Sequence, residues 1–178
     1  MTGDELKQKP CLQLITHHSS LITYLLLFSR HLSPVIRHCF LMPFSTRITV
    51  RFGDTDPAGL VYYPNIFHYF HIALEEFFGA RCGISYQQLM AVERIGFPNV
   101  NTQTEFFVPI VYGDELDLEI FVSQTGNSSA TFQYSARRAS DGTLCARSTQ
   151  IHVAMNLDTR RPVSIPEKYR QAFAGSAR

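Results

Sequence analysis

The stretch that decides the fold is RFGDTDPAGLVYYPN, residues 51–65. It holds two aspartates one residue apart together with two glycines and two prolines, a composition that interrupts regular secondary structure. The segment before it alternates polar and apolar residues, which predicts a half-buried strand over 46–52. The segment after it repeats apolar residues at helical spacing, which predicts a long helix over 65–79. A turn between strand and helix therefore carries Asp54 and Asp56.

The helix prediction rests on a wide apolar face. Pro64 lies where the first turn of a helix tolerates proline. Gly79 and Gly83 predict the end of the helix. A second, shorter helix is predicted over 85–92, with Ser85 as its N-terminal cap. The residues of the apolar face recur at i, i+3, i+4 and i+7: Ile66, Phe67, Phe70, Ala73, Leu74, Phe77 and Phe78.

Four strand-like segments and a short C-terminal helix complete the chain. Short turn signals separate the strands, and Asp141-Gly142 is the strongest hairpin signal among them. Strands joined by such turns run antiparallel. The order of elements predicts an α+β fold in which a five-stranded antiparallel sheet wraps around a long central helix. The four predicted strands span 100–111, 114–124, 129–139 and 143–156.

Composition is that of an ordinary globular protein. Of the 178 residues, 45% are hydrophobic and 17% are charged, and the formal net charge is +1. This balance indicates neither a nucleic-acid-binding nor an anionic-membrane surface. The four cysteines are scattered without a CxxC pair, so neither a disulfide framework nor a zinc site is predicted. A reducing, cytoplasmic location is expected.

The first 41 residues differ from the remainder. They hold four of the seven histidines and two of the four cysteines. Their apolar run, 21–28, is shorter than the roughly 20 residues of a membrane-spanning helix, and no secretory cleavage pattern follows it. We predict an N-terminal extension over 1–41 and a compact domain over 42–178. The extension is read as disordered or loosely helical, as a targeting segment, or as sequence upstream of a start at Met42, which we favour.

The element order together with residues 51–65 resembles the hotdog-fold acyl-CoA thioesterases, and most closely the 4-hydroxybenzoyl-CoA thioesterase family. That family has a strand, a [FY]-x-D-x-D-x-x-G turn, then V-x-Y and a long helix. This chain reads FGDTDPAG over 52–59 and LVYYPN over 60–65. The related short-chain acyl-CoA branch usually has a histidine where Tyr63 stands. The resemblance covers 46–172 and implies the hotdog fold.

The resemblance implies that Asp56 is the catalytic carboxylate, which attacks the thioester carbonyl or activates a water that does so. It also implies that the backbone N–H of Tyr63 polarises that carbonyl. Physical chemistry agrees, because a helix N-terminus offers free N–H groups and partial positive charge. Donors aimed at a developing oxyanion lower the barrier to acyl transfer. A carboxylate on a tight turn seven residues earlier can approach the same point.

Other residues of the motif are given supporting roles. Asp54 is predicted to be a turn or capping residue, because aspartate side chains bond to nearby backbone. Gly59 is expected to supply a positive φ or a close backbone approach at the substrate site. Asn65 either caps the helix or holds the active-site loop, and it is counted among the substrate-binding candidates.

The helix also carries the pattern H-x-x-H-x-x-x-E, formed by His68, His71 and Glu75. His71 and Glu75 share a face at i, i+4. A solvated or interface pair is favoured over a metal site, and no metal or redox cofactor is predicted. His71 falls where many relatives carry an acid facing the acyl pocket, so it is a substrate-binding candidate.

Coenzyme A carries phosphates that need hydroxyl or basic partners. In the family the turn between the third and fourth strands contributes, and here that turn reads TGNSS over 125–129. It lacks the Arg/Lys cluster of some relatives, so Ser128 and Ser129 are the predicted phosphate contacts. The alternative candidates are five arginines: Arg137, Arg138, Arg147, Arg160 and Arg161.

The predicted function is hydrolysis of an acyl-CoA to a free acid and CoA, with an aromatic acyl group favoured. The alternatives are a short-chain aliphatic acyl-CoA, an acyl carrier protein thioester, and a non-catalytic acyl-CoA-binding protein. A hotdog dehydratase is disfavoured because no histidine lies in a motif for that reaction. A sheet with exposed edges predicts an oligomer in which two edges pair. The resemblance implies a homodimer or a homotetramer with the active site at the subunit interface. No nucleic-acid partner and no membrane span are expected.

Overall fold

The computed structural model describes residues 43–175. The prediction of an extension over 1–41 lies outside the described residues. Within the described part of the chain, no helix is long and apolar enough to cross a membrane. In chain order the elements are β1 (Phe44–Thr49), α1 (Tyr63–Cys82), α2 (Tyr86–Ala91), β2 (Ile95–Gly96), β3 (Asn99–Phe106), β4 (Glu115–Thr125), β5 (Ser129–Arg138), β6 (Leu144–Val153), β7 (Met155–Asn156), β8 (Arg161–Pro162) and α3 (Glu167–Ala174).

Five strands form one antiparallel sheet in the order β1-β4-β5-β6-β3. The predicted hairpin at Asp141-Gly142 is confirmed, since Gly142 has φ of 72° and its N–H donates to the carbonyl of Arg138. The sheet leaves β1 and β3 as its two edges. The α+β prediction of a five-stranded antiparallel sheet is therefore correct.

Helix α1 lies on the inner face of this sheet and supplies most of the aromatic core. Phe77 is fully buried and packs against four other rings at 6.0–6.3 Å. All of the predicted apolar face is buried except Phe67, which is half-buried. The helix runs past Gly79, where the predicted range ended, and stops at Cys82 because Gly83, the second predicted end signal, adopts φ of 66° and its N–H donates to the carbonyl of Phe78. Ser85 caps α2 by accepting a hydrogen bond from the N–H of Gln88.

Some predicted boundaries are wrong. The first strand ends at Thr49, and Phe52 begins a 3-10 turn that leaves its ring 80% exposed. The strand predicted over 100–111 ends at Phe106. The last strand breaks at Ala154, and its continuation joins a second, three-stranded sheet of two-residue strands in the order β2-β7-β8. This small sheet was not predicted.

Candidate functional site

The turn between β1 and α1 is a small hairpin held at both ends. The N–H of Asp56 donates to the carbonyl of Leu60 at 2.8 Å, and the N–H of Gly59 donates to the carbonyl of Asp56 at 2.9 Å. Gly59 has φ of 77°, which confirms the predicted positive φ. The N–H of Val61 donates to the carbonyl of Ile110, so the hairpin is also fastened to the segment before β4. The turn is therefore a defined structure.

The Asp56 side chain is half-buried at the head of this hairpin. One carboxylate oxygen, Oδ1, accepts a hydrogen bond from the N–H of Ala58 at 2.8 Å. That bond fixes the orientation of the carboxylate plane relative to the turn. A carboxylate has two oxygens and about four lone-pair sites, so one N–H leaves capacity to accept a proton or to attack a carbon.

Asp54 serves the backbone, as predicted. Its Oδ2 accepts a hydrogen bond from the N–H of Arg51 at 2.7 Å, which closes the 3-10 turn. Its carbonyl oxygen accepts two bonds from the helix start, one from the N–H of Tyr62 at 2.9 Å and one from Nδ2 of Asn65 at 2.8 Å. Asn65 therefore holds the loop by its side-chain amide. These bonds tie the Asp56 turn to the first turn of α1.

The helix N-terminus offers one backbone donor among its first three positions. Tyr63 is the first helical residue, and its N–H has no intrahelical acceptor. Pro64, at the second position rather than the first as the sequence suggested, has no N–H. The N–H of Asn65 already donates to the carbonyl of Tyr62 at 2.8 Å. Tyr63 is thus left as the donor that can polarise a bound carbonyl.

Tyr69 lies behind the turn and was not singled out from the sequence. Its side chain is 4% exposed, and its hydroxyl makes no hydrogen bond of normal geometry with any residue among 43–175. Burial raises the pKa of Tyr69 well above its usual value, and the nearby Asp54 carboxylate adds to the shift. The signal in the sequence is weak, because a tyrosine on an aromatic-rich helix face looks like any other core residue.

Two cavities lie along the side of α1 that faces β3. The first, of about 310 Å³, adjoins the turn and is bounded by Tyr63 and Ile66 on one side and by Phe106 and Phe107 on the other. Its walls are almost entirely apolar. The second, of about 390 Å³, lies further along the helix and is lined by twelve residues: Phe67, His71, Tyr86, Met90, Gly96, Phe97, Pro98, Asn99, Gln150, His152, Met155 and Leu157.

His71 is placed in the wall of the second cavity. Its Nε2 lies 3.2 Å from Oε1 of Glu75, which confirms the predicted i, i+4 pair. Its ring packs edge-to-face on Tyr86, whose pKa is raised by burial to about 12. Among residues 43–175, no three His, Cys, Asp or Glu side chains are grouped closely enough to hold a metal ion.

The predicted phosphate contacts do not meet Asp56 within one chain. The Asp56 turn lies beside 110–114, at the start of β4, whereas Ser128 and Ser129 follow its far end. Because β4 has eleven residues that rise about 3.3 Å each, roughly 30 Å separates these two ends of the sheet. The role of Ser128 and Ser129 at the CoA phosphates therefore stays a prediction for a site shared between subunits.

Arg170, which was not among the predicted candidates, contacts the 125–129 turn. From α3 its guanidinium donates to the carbonyls of Gly126 at 2.9 Å and of Asn127 at 3.1 Å. Of the arginines named from the sequence, Arg138 is held in a structural pair with Asp114 at 3.3 Å and donates to the carbonyl of Pro109. A cation near the serine turn is therefore supplied by the C-terminal helix.

Comparison with known proteins identifies the family. Residues 50–173 match the Thioesterase-like superfamily. A 4-hydroxybenzoyl-CoA thioesterase from Pseudomonas sp. is 32% identical over 127 residues, which cover 67% of this chain and 89% of that protein. A 1,4-dihydroxy-2-naphthoyl-CoA hydrolase from Synechocystis sp. is 27% identical over 124 residues, which cover 70% of this chain and 89% of that protein.

Solved structures give the same result. A 1,4-dihydroxy-2-naphthoyl-CoA thioesterase from Synechocystis superimposes with a TM-score of 0.67 at 27% identity, covering 73% of this chain and 94% of that one. A gentisyl-coenzyme A thioesterase superimposes with a TM-score of 0.66 at 26% identity, covering 73% of this chain and 99% of that one. The fold and the family match together define a hotdog-fold thioester hydrolase. The chain belongs to the Thioesterase-like superfamily, and the predicted resemblance is confirmed.

Proposed function

We propose that this thioesterase hydrolyses acyl-CoA thioesters with an aromatic acyl group, and that Asp56 and the N–H of Tyr63 carry the chemistry. The observation that carries the proposal is the pair of bonds from Tyr62 and Asn65 to the carbonyl of Asp54. They join the turn that bears the carboxylate to the helix end that bears the N–H of Tyr63. A nucleophile or base and an oxyanion donor are thereby held in one rigid unit, which is what acyl transfer requires.

Two routes are compatible with this unit. In the general-base route, Asp56 takes a proton from a water whose oxygen adds to the thioester carbonyl carbon. In the nucleophilic route, the carboxylate adds to that carbon and forms a mixed anhydride, which water then hydrolyses. In both routes the C–S bond breaks, CoA leaves as a thiolate, and the N–H of Tyr63 stabilises the negative charge on the carbonyl oxygen. The net reaction is addition of one water across the thioester.

An aromatic acyl group is supported by the walls of the site and by the relatives. The first cavity presents Tyr63, Phe106 and Phe107 beside the turn, and flat rings pack well against such walls. The relatives are named for 4-hydroxybenzoyl-CoA, 1,4-dihydroxy-2-naphthoyl-CoA and gentisyl-CoA, all of which are aromatic thioesters. His71 lies further along the same helix face, where it is available to contact the far end of the acyl group.

We further propose that the active form contains at least two copies of the chain, paired through β3. This edge strand exposes Val100 and its last residue, Phe106, and is followed by Phe107; the two phenylalanines are 53% and 48% exposed. Pairing two such edges would extend each five-stranded sheet into one of ten strands and cover these side chains. Ser128 and Ser129 would then bind CoA phosphate at the site of the partner subunit. Gly59 would line the entrance beside Asp56.

The test measures free thiol released from a panel of aromatic and short-chain aliphatic acyl-CoAs. Asp56→Asn should lower kcat by about 10²- to 10⁴-fold, because the amide neither takes a proton nor attacks. Asp54→Asn is the matched control, since it makes the same change two residues away and keeps an oxygen for the N–H of Arg51. It should stay within about tenfold of the native rate. Equal losses in both variants would count against Asp56 as the catalytic carboxylate, and a preference for aliphatic members would count against the aromatic assignment.

A further inference from the structure

The inner face of β6 is polar where the rest of the sheet is apolar. Ser148, Gln150 and His152 occupy alternate, inward positions and are only 1%, 5% and 3% exposed. Burying a polar side chain costs free energy unless it is hydrogen-bonded. The matching inward positions of the neighbouring strands β4 and β5 are filled by Leu116, Leu118, Ile120, Val122, Ala130, Phe132, Tyr134 and Ala136.

The orientation of the Gln150 side-chain amide follows from a backbone N–H, by way of the side chain of Asn99. The N–H of Asn101 donates to Oδ1 of Asn99 at 3.1 Å, so the other side-chain atom of Asn99 must be its NH₂ group. That group donates to Oε1 of Gln150 at 3.0 Å. The Gln150 atom at this contact is therefore an oxygen, which can only accept.

The backbone also fixes the tautomer of His152. Its Nδ1 lies 2.8 Å from the carbonyl oxygen of Phe97, which can only accept, so Nδ1 carries a proton. Burial lowers the pKa of His152, which favours the neutral ring. In the neutral ring Nε2 is unprotonated, and it lies 3.2 Å from Oε1 of Gln150. Two acceptors thus stand side by side, and both residues line the second cavity.

Two adjacent hydrogen-bond acceptors in a cavity wall can be satisfied by a hydrogen-bond donor on a bound ligand. We propose that the second cavity binds the distal end of the acyl group, and that Nε2 of His152 and Oε1 of Gln150 together accept a hydrogen bond from a hydroxyl on it. The inference rests on the proposed function, and it makes these two residues specificity determinants for a hydroxylated acyl group. It assigns a chemical purpose to the polar face of β6.

The position of the cavity suits this role. Tyr63, Phe67 and His71 are spaced by four residues, so they form one stripe along α1. At 1.5 Å per residue, Phe67 lies about 6 Å and His71 about 12 Å beyond the helix start. An acyl group with its carbonyl at the N–H of Tyr63 must be of the length of one or two aromatic rings to reach this region. A two- or three-carbon acyl chain falls short of it.

The first experiment varies the substrate and leaves the protein intact. The native enzyme is assayed with benzoyl-CoA and with the 2-, 3- and 4-hydroxybenzoyl and matching methoxybenzoyl thioesters. One hydroxyl isomer should exceed both benzoyl-CoA and its own methyl ether in kcat/KM by about 10- to 100-fold. Equal rates across hydroxy, methoxy and unsubstituted members would overturn the inference and leave the proposed function standing.

The second experiment varies the acceptors. Gln150→Leu and His152→Phe should reduce the ratio of kcat/KM for the hydroxybenzoyl thioester to kcat/KM for benzoyl-CoA by about tenfold or more, in addition to any loss that the two substrates share. Gln133→Leu is the matched control, because Gln133 bonds to Ser123 and Thr149 on the outer face of the sheet. A uniform loss on all substrates in the two variants would assign the residues to folding alone and refute the inference.

A third measurement separates this inference from the proposed function. Calorimetry with the Asp56→Asn variant compares the binding of the hydroxy and methoxy thioesters without turnover. Tighter binding of the hydroxy member by about tenfold or more supports the acceptor pair even if no substrate is hydrolysed. Nitrogen NMR of the ligand-free chain must also show His152 protonated on Nδ1 alone at neutral pH. A doubly protonated ring would donate to Gln150 itself, and the proposed hydroxyl would have no acceptor pair.

Discussion

Replacing Gly59 by alanine should lower stability slightly and activity strongly. Gly59 has φ of 77°, a left-handed conformation that costs an L residue about 1–2 kcal/mol. A Cβ built at this position meets no heavy atom within 4 Å, so no steric clash adds to that cost. The whole effect must therefore come from the backbone. Relaxing that strain changes the turn whose N–H and carbonyl bonds hold Asp56.

The magnitude can be calibrated on the same molecule. Gly142 has φ of 72° and also has open space around its added Cβ, but it lies in the hairpin between β5 and β6. Gly142→Ala should thus cost the same 1–2 kcal/mol, about 3–8 °C in Tm for a domain of this size. Only Gly59→Ala should also lower kcat/KM, by about tenfold or more, because a small misplacement of a catalytic group is costly. Gly59→Asn should recover part of both losses, since asparagine tolerates this conformation.

The assay pairs thermal unfolding with thiol release for all three variants. We expect similar Tm losses in the two alanine variants and an activity loss confined to position 59. If Gly142→Ala lost as much activity as Gly59→Ala, the effect would be a general one on folding. If Gly59→Ala kept native activity despite the expected fall in Tm, the turn would not be positioning the catalytic carboxylate.

Three further predictions concern stability. Phe77→Ala should lower the free energy of unfolding by about 3–5 kcal/mol in chemical denaturation, because it empties a fully buried site among four rings. The same change at the exposed Phe52 should cost under about 1 kcal/mol. Equal losses would contradict the central position of Phe77 in the core. Burial lowers the pKa of His152 in the folded state below the unfolded value of about 6.5, so the unfolded state binds a proton first as pH falls. The contribution of His152 to the free energy of unfolding should therefore be full above pH 6.5. It should decrease as pH drops toward the folded pKa, by at most about 1.4 kcal/mol per pH unit. His152→Asn should flatten that fall in denaturant titrations and the exposed His68→Asn should not. Tyr69→Phe should leave the free energy of unfolding unchanged or raise it by up to about 1 kcal/mol, because the hydroxyl is buried without a hydrogen bond to residues 43–175. A loss above about 1 kcal/mol would show that the hydroxyl is hydrogen-bonded.

The fold was predictable because its signals are local and agree with one another. The apolar stripe of α1, the caps at Gly83 and Ser85, and the Asp-Gly turn each depend on a few neighbouring residues. The error at Phe52 has a physical reason. The alternation continues through Phe52 in the sequence, but the Asp54 carboxylate captures the N–H of Arg51 and converts the strand end into a 3-10 turn. The small second sheet has strands of two residues, too short to produce a pattern.

The alternation of polar and apolar residues correctly predicts β6 as a strand but assigns the wrong face of it to the core. In this segment Ile151 and Val153 are the apolar members of the alternation, which would direct them inward. In the structure they are half-buried, and His152 is buried between them. A strand that presents its polar side to the core contradicts its own pattern, and such conflicts concentrate at functional sites. The motif singles out Asp56 and Tyr63 as candidates, but only the tertiary structure shows which strand face borders the cavity.

The separation of the two predicted halves of the site leads to a sharp test of the assembly. Asp56 and the turn with Ser128 and Ser129 lie at opposite ends of one sheet, roughly 30 Å apart. If a single CoA thioester uses both, the serines must come from the partner subunit. We therefore expect subunit mixing to rescue activity between two impaired chains, Asp56→Asn and the double variant Ser128→Ala with Ser129→Ala.

In an equal mixture half of the dimers are mixed, and each mixed dimer has one site with an intact Asp56 facing an intact serine turn. Activity assayed at limiting acyl-CoA should therefore recover to about one quarter of the native value after unfolding and joint refolding, well above the mean of the two parents. The control is the same two chains refolded separately and then combined. If both groups acted within one chain, no site in a mixed dimer would be complete and activity would remain at the parental mean. A native protein that sediments as a fully active monomer would refute the shared site outright.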